Sequence, residues 1–220
     1  MIVIEKISLN LSQKLGMRLN KNEEEILILN YGMFMILHTF IAIVATVFMG
    51  IVTGTFVEMM IVSITSAWLK RYSGGIHASS PERCIIIGLV LSYLLAKISI
   101  NINENINMNG IFIFVIISFL FSYYIIYKKC PVGSKNKPLK NQETRKKLKI
   151  KSFKLITLYL LTVLSLICIS TSFNIVYIKK IVLCIIFGTL VQIIVLTKVG
   201  EFLIKLLDNT LNIGRILKRL

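Results

Sequence analysis

The 220-residue chain is too apolar for a soluble domain: 55% of its residues are hydrophobic and its mean hydropathy is +0.78, whereas soluble domains usually contain about 45–50% apolar residues. Its 26 basic residues outnumber 10 acidic ones, which gives a net charge of +16. Because the basic residues are concentrated between long apolar runs, membrane topology and anionic lipid explain this charge better than nucleic acid does. The composition predicts an integral membrane protein without a nucleic-acid partner.

Apolar runs of nearly membrane length follow one another along the chain. Because a hydrocarbon core about 30 Å thick needs roughly 20 helical residues to cross it, we expect an all-α, polytopic membrane helix bundle with about six transmembrane helices in one domain, 1–220. The run 31–69 is too long for one crossing, so a tight turn at Gly50–Gly54 should divide it. The predicted spans are 31–50, 54–69, 82–100, 111–127, 155–173 and 181–197.

Both ends of the chain show a different pattern. In residues 1–20 and 199–220, apolar side chains recur at helical spacing and charged side chains lie between them. This pattern is typical of amphipathic helices that lie in the membrane surface. We therefore expect one interfacial helix before the first span and another after the last.

The distribution of Lys and Arg predicts the orientation. Of the 26 basic residues, 23 lie in segments that a six-span topology places on one side of the membrane, namely 1–30, 70–83, 128–154 and 198–220. Positively charged loops remain in the cytoplasm. We expect a multi-pass protein of the cell membrane with both termini in the cytoplasm.

Glu58 interrupts the second span, and the cost of a charge in the membrane requires a partner or a wet cavity.

One polar connection carries a candidate catalytic pair. His77 lies seven residues before Cys84, at the predicted cytoplasmic end of the third span. A thiolate is the reactive form of cysteine, and a neighbouring histidine can generate it and later protonate a leaving amine. On one continuous helix the two residues would be about 10 Å apart along the axis. Ser80-Pro81 is typical of a helix start, so His77 should lie in the preceding loop and fold back toward Cys84 in the first turn.

Neighbouring residues suit this chemistry. Ser79 or Ser80 can cap the helix, and Ser79 with Glu82 has the spacing of a capping box. A helix start favours an anion, and the nearby positive charges are Arg71 and Arg83.

The glycine pair in this connection has a possible catalytic role as well. Gly74-Gly75 permits a tight turn whose N–H groups would face an oxyanion. On residue types alone, a packing cysteine and a solvated loop histidine remain the commoner explanation.

This segment resembles the signature of the accessory gene regulator B (AgrB) family, membrane peptidases of Gram-positive quorum sensing. Arg71, Gly74, Gly75, His77 and Cys84 match its Arg-x-x-Gly-Gly-x-His-x6-Cys pattern. Residues 131–139 resemble the family's Pro-Val-x-Ser-x-Asn-Lys-Pro-Leu loop after the fourth span. Length, span number and the basic central loop also match, so the likeness covers nearly the whole chain. The chain departs from a complete triad, because no acidic third member is identifiable and Glu82 is explained as a helix cap.

The resemblance implies cleavage of a small AgrD-type propeptide on its C-terminal side. Cys84 would be the nucleophile that holds the peptide as a thioester, and His77 the general base and later the acid. An internal Cys or Ser of the peptide would then close a thiolactone or lactone ring. The implied partners are the propeptide, the bilayer and a second copy in a homodimer. With two histidines and no cluster of ligands, we expect no metal and no cofactor.

Three alternatives remain on the sequence alone. One is a small multi-pass exporter or carrier for a peptide or solute, although internal duplication and interrupted helices, common in transporters, are not evident. Another is a non-catalytic membrane anchor. Within the enzyme hypothesis, Cys130 is a rival nucleophile because it follows Lys128 and Lys129, which would favour a thiolate.

Overall fold

The computed structural model describes residues 3–76, 78–133, 141–173 and 176–217, and every regular element in them is an α-helix. The eight helices of these ranges are α1 (Val3–Arg18), α2 (Glu23–Val52), α3 (Phe56–Ser73), α4 (Pro81–Asn105), α5 (Met108–Lys129), α6 (Gln142–Phe173), α7 (Val176–Val195) and α8 (Lys198–Leu217). The predicted all-α fold class is confirmed.

Five of the described helices, α2, α4, α5, α6 and α7, are long and apolar enough to cross a membrane. Large apolar side chains on their surfaces are exposed, among them Phe48, Leu120 and Leu158. Such a surface is unfavourable in water and is typical of lipid-facing helices. The helix of the predicted second span, α3, forms but is not one of the five, because its 18 residues include Glu58, Lys70 and Arg71. The chain is therefore a multi-pass helical membrane protein.

The chain divides into two compact units, residues 1–48 and residues 49–220. In the first unit, a capping box forms at the start of α2: the Glu25 N–H donates to Asn22 Oδ1 at 2.9 Å, and the Asn22 N–H donates to Glu25 Oε2 at 3.1 Å. These bonds satisfy backbone groups that a helix start leaves open. The organisation into one domain stays a prediction.

In the second unit, α7 is the central helix and packs against α3, α4, α5, α6 and α8. It is apolar on all sides and its residues 182–186 are buried, as expected for a helix surrounded by others. Gly188 allows α3 to approach closely, because a Cβ there would lie 2.8 Å from the Val62 carbonyl oxygen and 2.9 Å from Thr65 Cβ. α3 and α7 therefore pack almost backbone to backbone.

The buried acid of α3 has the partner that the sequence required. Glu58 Oε1 lies 2.5 Å from Lys180 Nζ at the start of α7, and the Glu58 side chain is only 7% exposed. Pairing reduces the cost of a charge away from water. The sequence predicted either a partner or a wet cavity for Glu58, and the partner is confirmed.

Helix boundaries agree with the predicted turns at two places and differ at two. The turn at Gly50–Gly54 is confirmed, since α2 ends at Val52 and α3 begins at Phe56. The predicted helix start at Pro81 is also confirmed. The predicted spans 82–100 and 111–127 left residues 101–110 as a turn, and this is wrong: only Ile106 and Asn107 separate α4 from α5, and Asn107 caps α5. α6 begins at Gln142, so part of the basic segment 128–154 is helical and not loop.

Candidate active site

The end of α3 meets the segment after α5, so the two sequence motifs lie together. The Val132 N–H donates to the Ser73 carbonyl at 2.9 Å, and the Val132 carbonyl accepts from the Gly75 N–H at 3.3 Å. Gly74 has φ +72°, and a Cβ there would lie 2.0 Å from the Val132 oxygen. Only glycine fits this left-handed, closely approached position. The glycine pair therefore joins the second motif to the first.

The glycine N–H groups are used within the protein. Gly74 donates to the Lys70 carbonyl at 2.9 Å, and Gly75 donates to Val132 as described. An oxyanion could accept from them only if these bonds opened. The geometry gives this pair a packing role, and its oxyanion role stays a hypothesis.

A buried glutamine on the central helix completes this junction. Gln192 Nε2 donates to Ser73 Oγ at 2.9 Å and to the Gly74 carbonyl at 2.8 Å. Gln192 is 2% exposed. Sequence reasoning missed it because a single polar residue in an apolar span does not reveal which loop it contacts.

Cys84 lies in the first turn of α4, as the sequence predicted. Ser80 is the N-cap, its Oγ accepts from the Arg83 N–H at 3.4 Å, and Pro81 is the first helical residue. The Cys84 N–H donates to the Ser80 carbonyl at 3.1 Å, and Cys84 is partly exposed. The positive end of the helix dipole at this turn favours an anion.

The predicted capping box is wrong in register. Because Ser80 is the N-cap, the third helical residue is Arg83, whereas Glu82 is the second and cannot close a box with Ser79. Ser79 Oγ instead accepts from Arg83 Nη1 at 2.8 Å. Glu82 is therefore the second residue of α4 and not the third, which the predicted capping box required.

Two further predicted site residues are His77 and Arg71. His77 lies outside the described residues. Arg71 is exposed near the end of α3, with its guanidinium 5.9 Å from the ring centroid of Tyr72. Lys151 of α6 lies 5.8 Å from the same ring. Arg71 is thus at the exterior of the α3 end.

A carboxylate on α8 holds the start of α4. Asp208 accepts from the Ser79 N–H at Oδ2 and from Arg83 Nη1 at Oδ1, each at 3.1 Å. Arg83 Nη2 donates to Asn212 Oδ1 at 3.1 Å. Burial raises the pKa of Asp208, but the hydrogen bonds from Ser79 and Arg83 outweigh it, and the pKa stays below its usual value. The charge of Arg83, expected to favour the thiolate, is paired with Asp208.

The rival nucleophile, Cys130, is enclosed. It is 7% exposed, and its thiol donates to Ser152 Oγ at 3.2 Å. Burial raises the pKa of the Cys130 thiol, against the smaller opposite effects of Ser152 and Lys149. The flanking lysines therefore do not make Cys130 an exposed thiolate.

These contacts group the polar segments at one end of the second unit. The Ser73–Val132–Gln192 junction joins the ends of α3, α5 and α7, and Asp208 joins α8 to the start of α4. The segments that begin near residues 70, 128 and 198 therefore lie at the same end of this unit. The distribution of Lys and Arg predicts the same grouping. That this end faces the cytoplasm stays a prediction.

Among residues 3–76, 78–133, 141–173 and 176–217, no three His, Cys, Asp or Glu side chains form a metal site.

Comparison with known proteins points to one family. Residues 4–196 match the family model described as Accessory gene regulator B. The chain is 33% identical to an AgrB-like protein of Clostridium perfringens (strain 13 / Type A) over 212 residues, covering 96% of this chain and 99% of the relative. It is 31% identical to an AgrB-like protein of Clostridium perfringens (strain SM101 / Type A), with the same coverage. An AgrB-like protein of Listeria innocua is 29% identical over 61% of this chain and 63% of its own length. No solved structure matches.

Proposed function

The chain belongs to the accessory gene regulator B family, and we propose that it is a membrane cysteine endopeptidase that cleaves an AgrD-type quorum-sensing propeptide. Family membership supports a role in the agr quorum-sensing system. The finer proposal concerns the chemistry: Cys84 cleaves the C-terminal part of the propeptide and enables its cyclisation. The active site and both termini face the cytoplasm, where the propeptide is made.

The observation that carries the proposal is the position of Cys84. Its side chain is partly exposed in the first turn of α4, and a seven-residue connection, residues 74–80, leads into that turn. His77 belongs to this connection, so a short loop separates the proposed base from the proposed nucleophile. The enclosed Cys130 offers no comparable access. A thiol at a polar helix start beside a histidine-bearing loop suits acyl transfer.

The proposed reaction has two acyl transfers. In the first, His77 takes the proton from Cys84 Sγ, and the thiolate attacks the scissile carbonyl carbon. The C–N bond breaks, His77 protonates the leaving amine, and the N-terminal part of the peptide remains as a thioester on Cys84. In the second, a Cys thiol or Ser hydroxyl of the peptide attacks the thioester carbon and releases the Cys84 thiol. A thioester and a thiolactone have similar energies, so closure of a thiolactone ring needs no ATP.

Mass spectrometry of a co-expressed AgrD-type propeptide tests the proposal. Cys84→Ala and His77→Ala should each abolish cleavage, because each removes a partner of the first step, while membrane insertion is retained. Cys130→Ala should still cleave, and Cys168→Ala, on the exposed surface of α6, is the matched control for loss of a thiol. Normal cleavage by Cys84→Ala would end the proposal.

A trapping experiment separates the enzyme from an exporter or carrier. Mixing purified protein with propeptide and quenching in acid should leave a covalent adduct on Cys84 that hydroxylamine removes, because hydroxylamine cleaves thioesters. A carrier binds its cargo without a covalent bond. Transport of intact propeptide with no adduct would favour the carrier.

A further inference from the structure

The helix α8 is attached to the cysteine-bearing segment mainly through the carboxylate of Asp208, with Asn212 as a second partner of Arg83. α8 is amphipathic, with Val199, Phe202 and Leu206 exposed on one face. Asp208 lies on the other face, with its side chain 13% exposed, against Arg83, whose side chain is 15% exposed. Charged groups this sheltered from water interact more strongly than surface pairs do. The ion pair between Asp208 and Arg83 should therefore be stronger than an ion pair on the protein surface.

The contacts of Asp208 fall on the short stretch of chain between the two members of the proposed catalytic pair. Ser79, whose N–H donates to Oδ2, follows His77 by two residues. Arg83, whose guanidinium donates to Oδ1, directly precedes Cys84. Arg83 also donates to Ser79 Oγ, so the loop, the helix start and α8 form one hydrogen-bonded cluster. Displacing the carboxylate would free the loop on one side and the first turn of α4 on the other.

The direction of α8 is itself constrained. The Gly200 N–H donates to Thr197 Oγ1 at 3.2 Å, and the Glu201 N–H donates to the Thr197 carbonyl at 3.0 Å. A Cβ on Gly200 would lie 2.1 Å from the Ile194 carbonyl oxygen. The turn between α7 and α8 is therefore tight and sets where Asp208 lies relative to the bundle.

We propose that Asp208 is a positioning residue that holds Ser79 and the first turn of α4 in the geometry that catalysis by Cys84 requires. The inference rests on the proposed function. Asp208 acts through Ser79 and Arg83 and does not touch the substrate. It lies beyond residues 4–196, the part that matches the family model, so the motifs of the family do not include it.

Kinetics of the full-length protein in lipid nanodiscs with a synthetic AgrD-type propeptide test this role. Asp208→Ala should lower kcat by about 10- to 100-fold with little change in KM, because a misplacement of about 1 Å can have an effect of this size. Asp208→Glu, which keeps the charge, should recover part of the loss. Arg83→Ala should also lower kcat. The double variant Asp208→Ala/Arg83→Ala should have a kcat no lower than that of the less active single variant, because the two side chains act as a unit. Glu201→Gln, an exposed acid on the same helix, is the matched control.

The outcomes distinguish the two proposals. If Cys84→Ala is inactive but Asp208→Ala retains the kcat of Glu201→Gln, the positioning role is overturned and the proposed function stands. A lower thermal midpoint with unchanged kcat also overturns it, because the contact would then be structural only. If Cys84→Ala cleaves normally, the proposed function itself fails.

If Asp208→Ala does not fold, two further measurements test the proposal. Asp208→Asn keeps an oxygen for the Ser79 N–H and the shape of the side chain but removes the charge opposite Arg83, and it should lower kcat without lowering the thermal midpoint. Iodoacetamide provides a readout without peptide: the rate at which Cys84 is alkylated should differ several-fold between Asp208→Asn and Glu201→Gln. Equal kcat and equal alkylation rates would overturn the inference.

Discussion

At the scale of single residues, the site depends on the absence of a side chain at Gly74. Gly74 has no Cβ, and this absence lets the Val132 carbonyl lie where a side chain would otherwise be. Its positive φ adds a second reason for glycine at this position. The motif glycines thus join two segments of the chain.

Gly74→Ala should be destabilised by about 1–3 kcal/mol, because the new Cβ meets a carbonyl oxygen in a left-handed backbone conformation. The thermal midpoint of the detergent-solubilised protein measures this, and cleavage should fall with it. Gly88→Ala is the control: a Cβ at Gly88 meets nothing within 4 Å, and alanine is favoured in a helix interior by about 0.5–1 kcal/mol. Equal midpoints for the two variants would contradict the packing role of Gly74.

At the scale of helices, the packing of α3 against α7 includes one buried ion pair. Glu58 and Lys180 lie at the end of α3 away from the site, since about 22 Å separates residues 58 and 73 along a helix. A buried pair is costly to break, but an apolar pair of similar volume can replace it. The pair should thus affect stability separately from catalysis.

Glu58→Ala should lower the free energy of unfolding by about 3 kcal/mol, because it leaves the largely shielded Lys180 charge without its carboxylate. The double variant Glu58→Leu/Lys180→Met should recover most of this stability and retain cleavage. Thermal unfolding and the propeptide assay measure the two properties. A double variant that is stable but inactive would show that the pair takes part in function.

At the scale of the whole molecule, the distribution of charge and the fold agree on which segments share a side. The ends of α3, α5 and α7 lie at one end of the second unit. The sequence ranges around these ends, 70–83, 128–154 and 198–220, contain 19 of the 23 Lys and Arg residues that the sequence assigns to the cytoplasm. α5 separates this end from the short connection between α4 and α5, Ile106 and Asn107, at the other. Its two ends should therefore be accessible from opposite sides of the membrane.

Labelling with a membrane-impermeant maleimide tests this orientation. In a variant whose four native cysteines are alanine, Asn109→Cys at the start of α5 should react in intact cells. Gly133→Cys, after the end of α5, should react only when the membrane is opened, because positively charged segments stay inside. The reverse pattern would invert the topology, and reaction of both in intact cells would mean that α5 does not cross.

Much of the fold follows from local features that a sequence displays directly. The length of an apolar run predicts a span, and Ser80-Pro81 predicts a helix start, because both depend on neighbouring residues alone. The start of α6 was not predictable in this way. Its first turns are basic and polar, so hydropathy does not distinguish them from a loop, although such residues are good helix formers.

The sequence by itself determined that this protein is a multi-pass helical membrane protein, which segments are polar, and that Cys84 lies in the first turn of a helix. These properties depend on composition, run length and capping, which act over a few residues. Only the tertiary structure decided that Val132 fills the space beside Gly74, that Lys180 pairs with Glu58, and that Asp208 holds Ser79 and Arg83. These contacts join residues far apart in the chain, and helix packing selects them from many possible partners of the same chemical type.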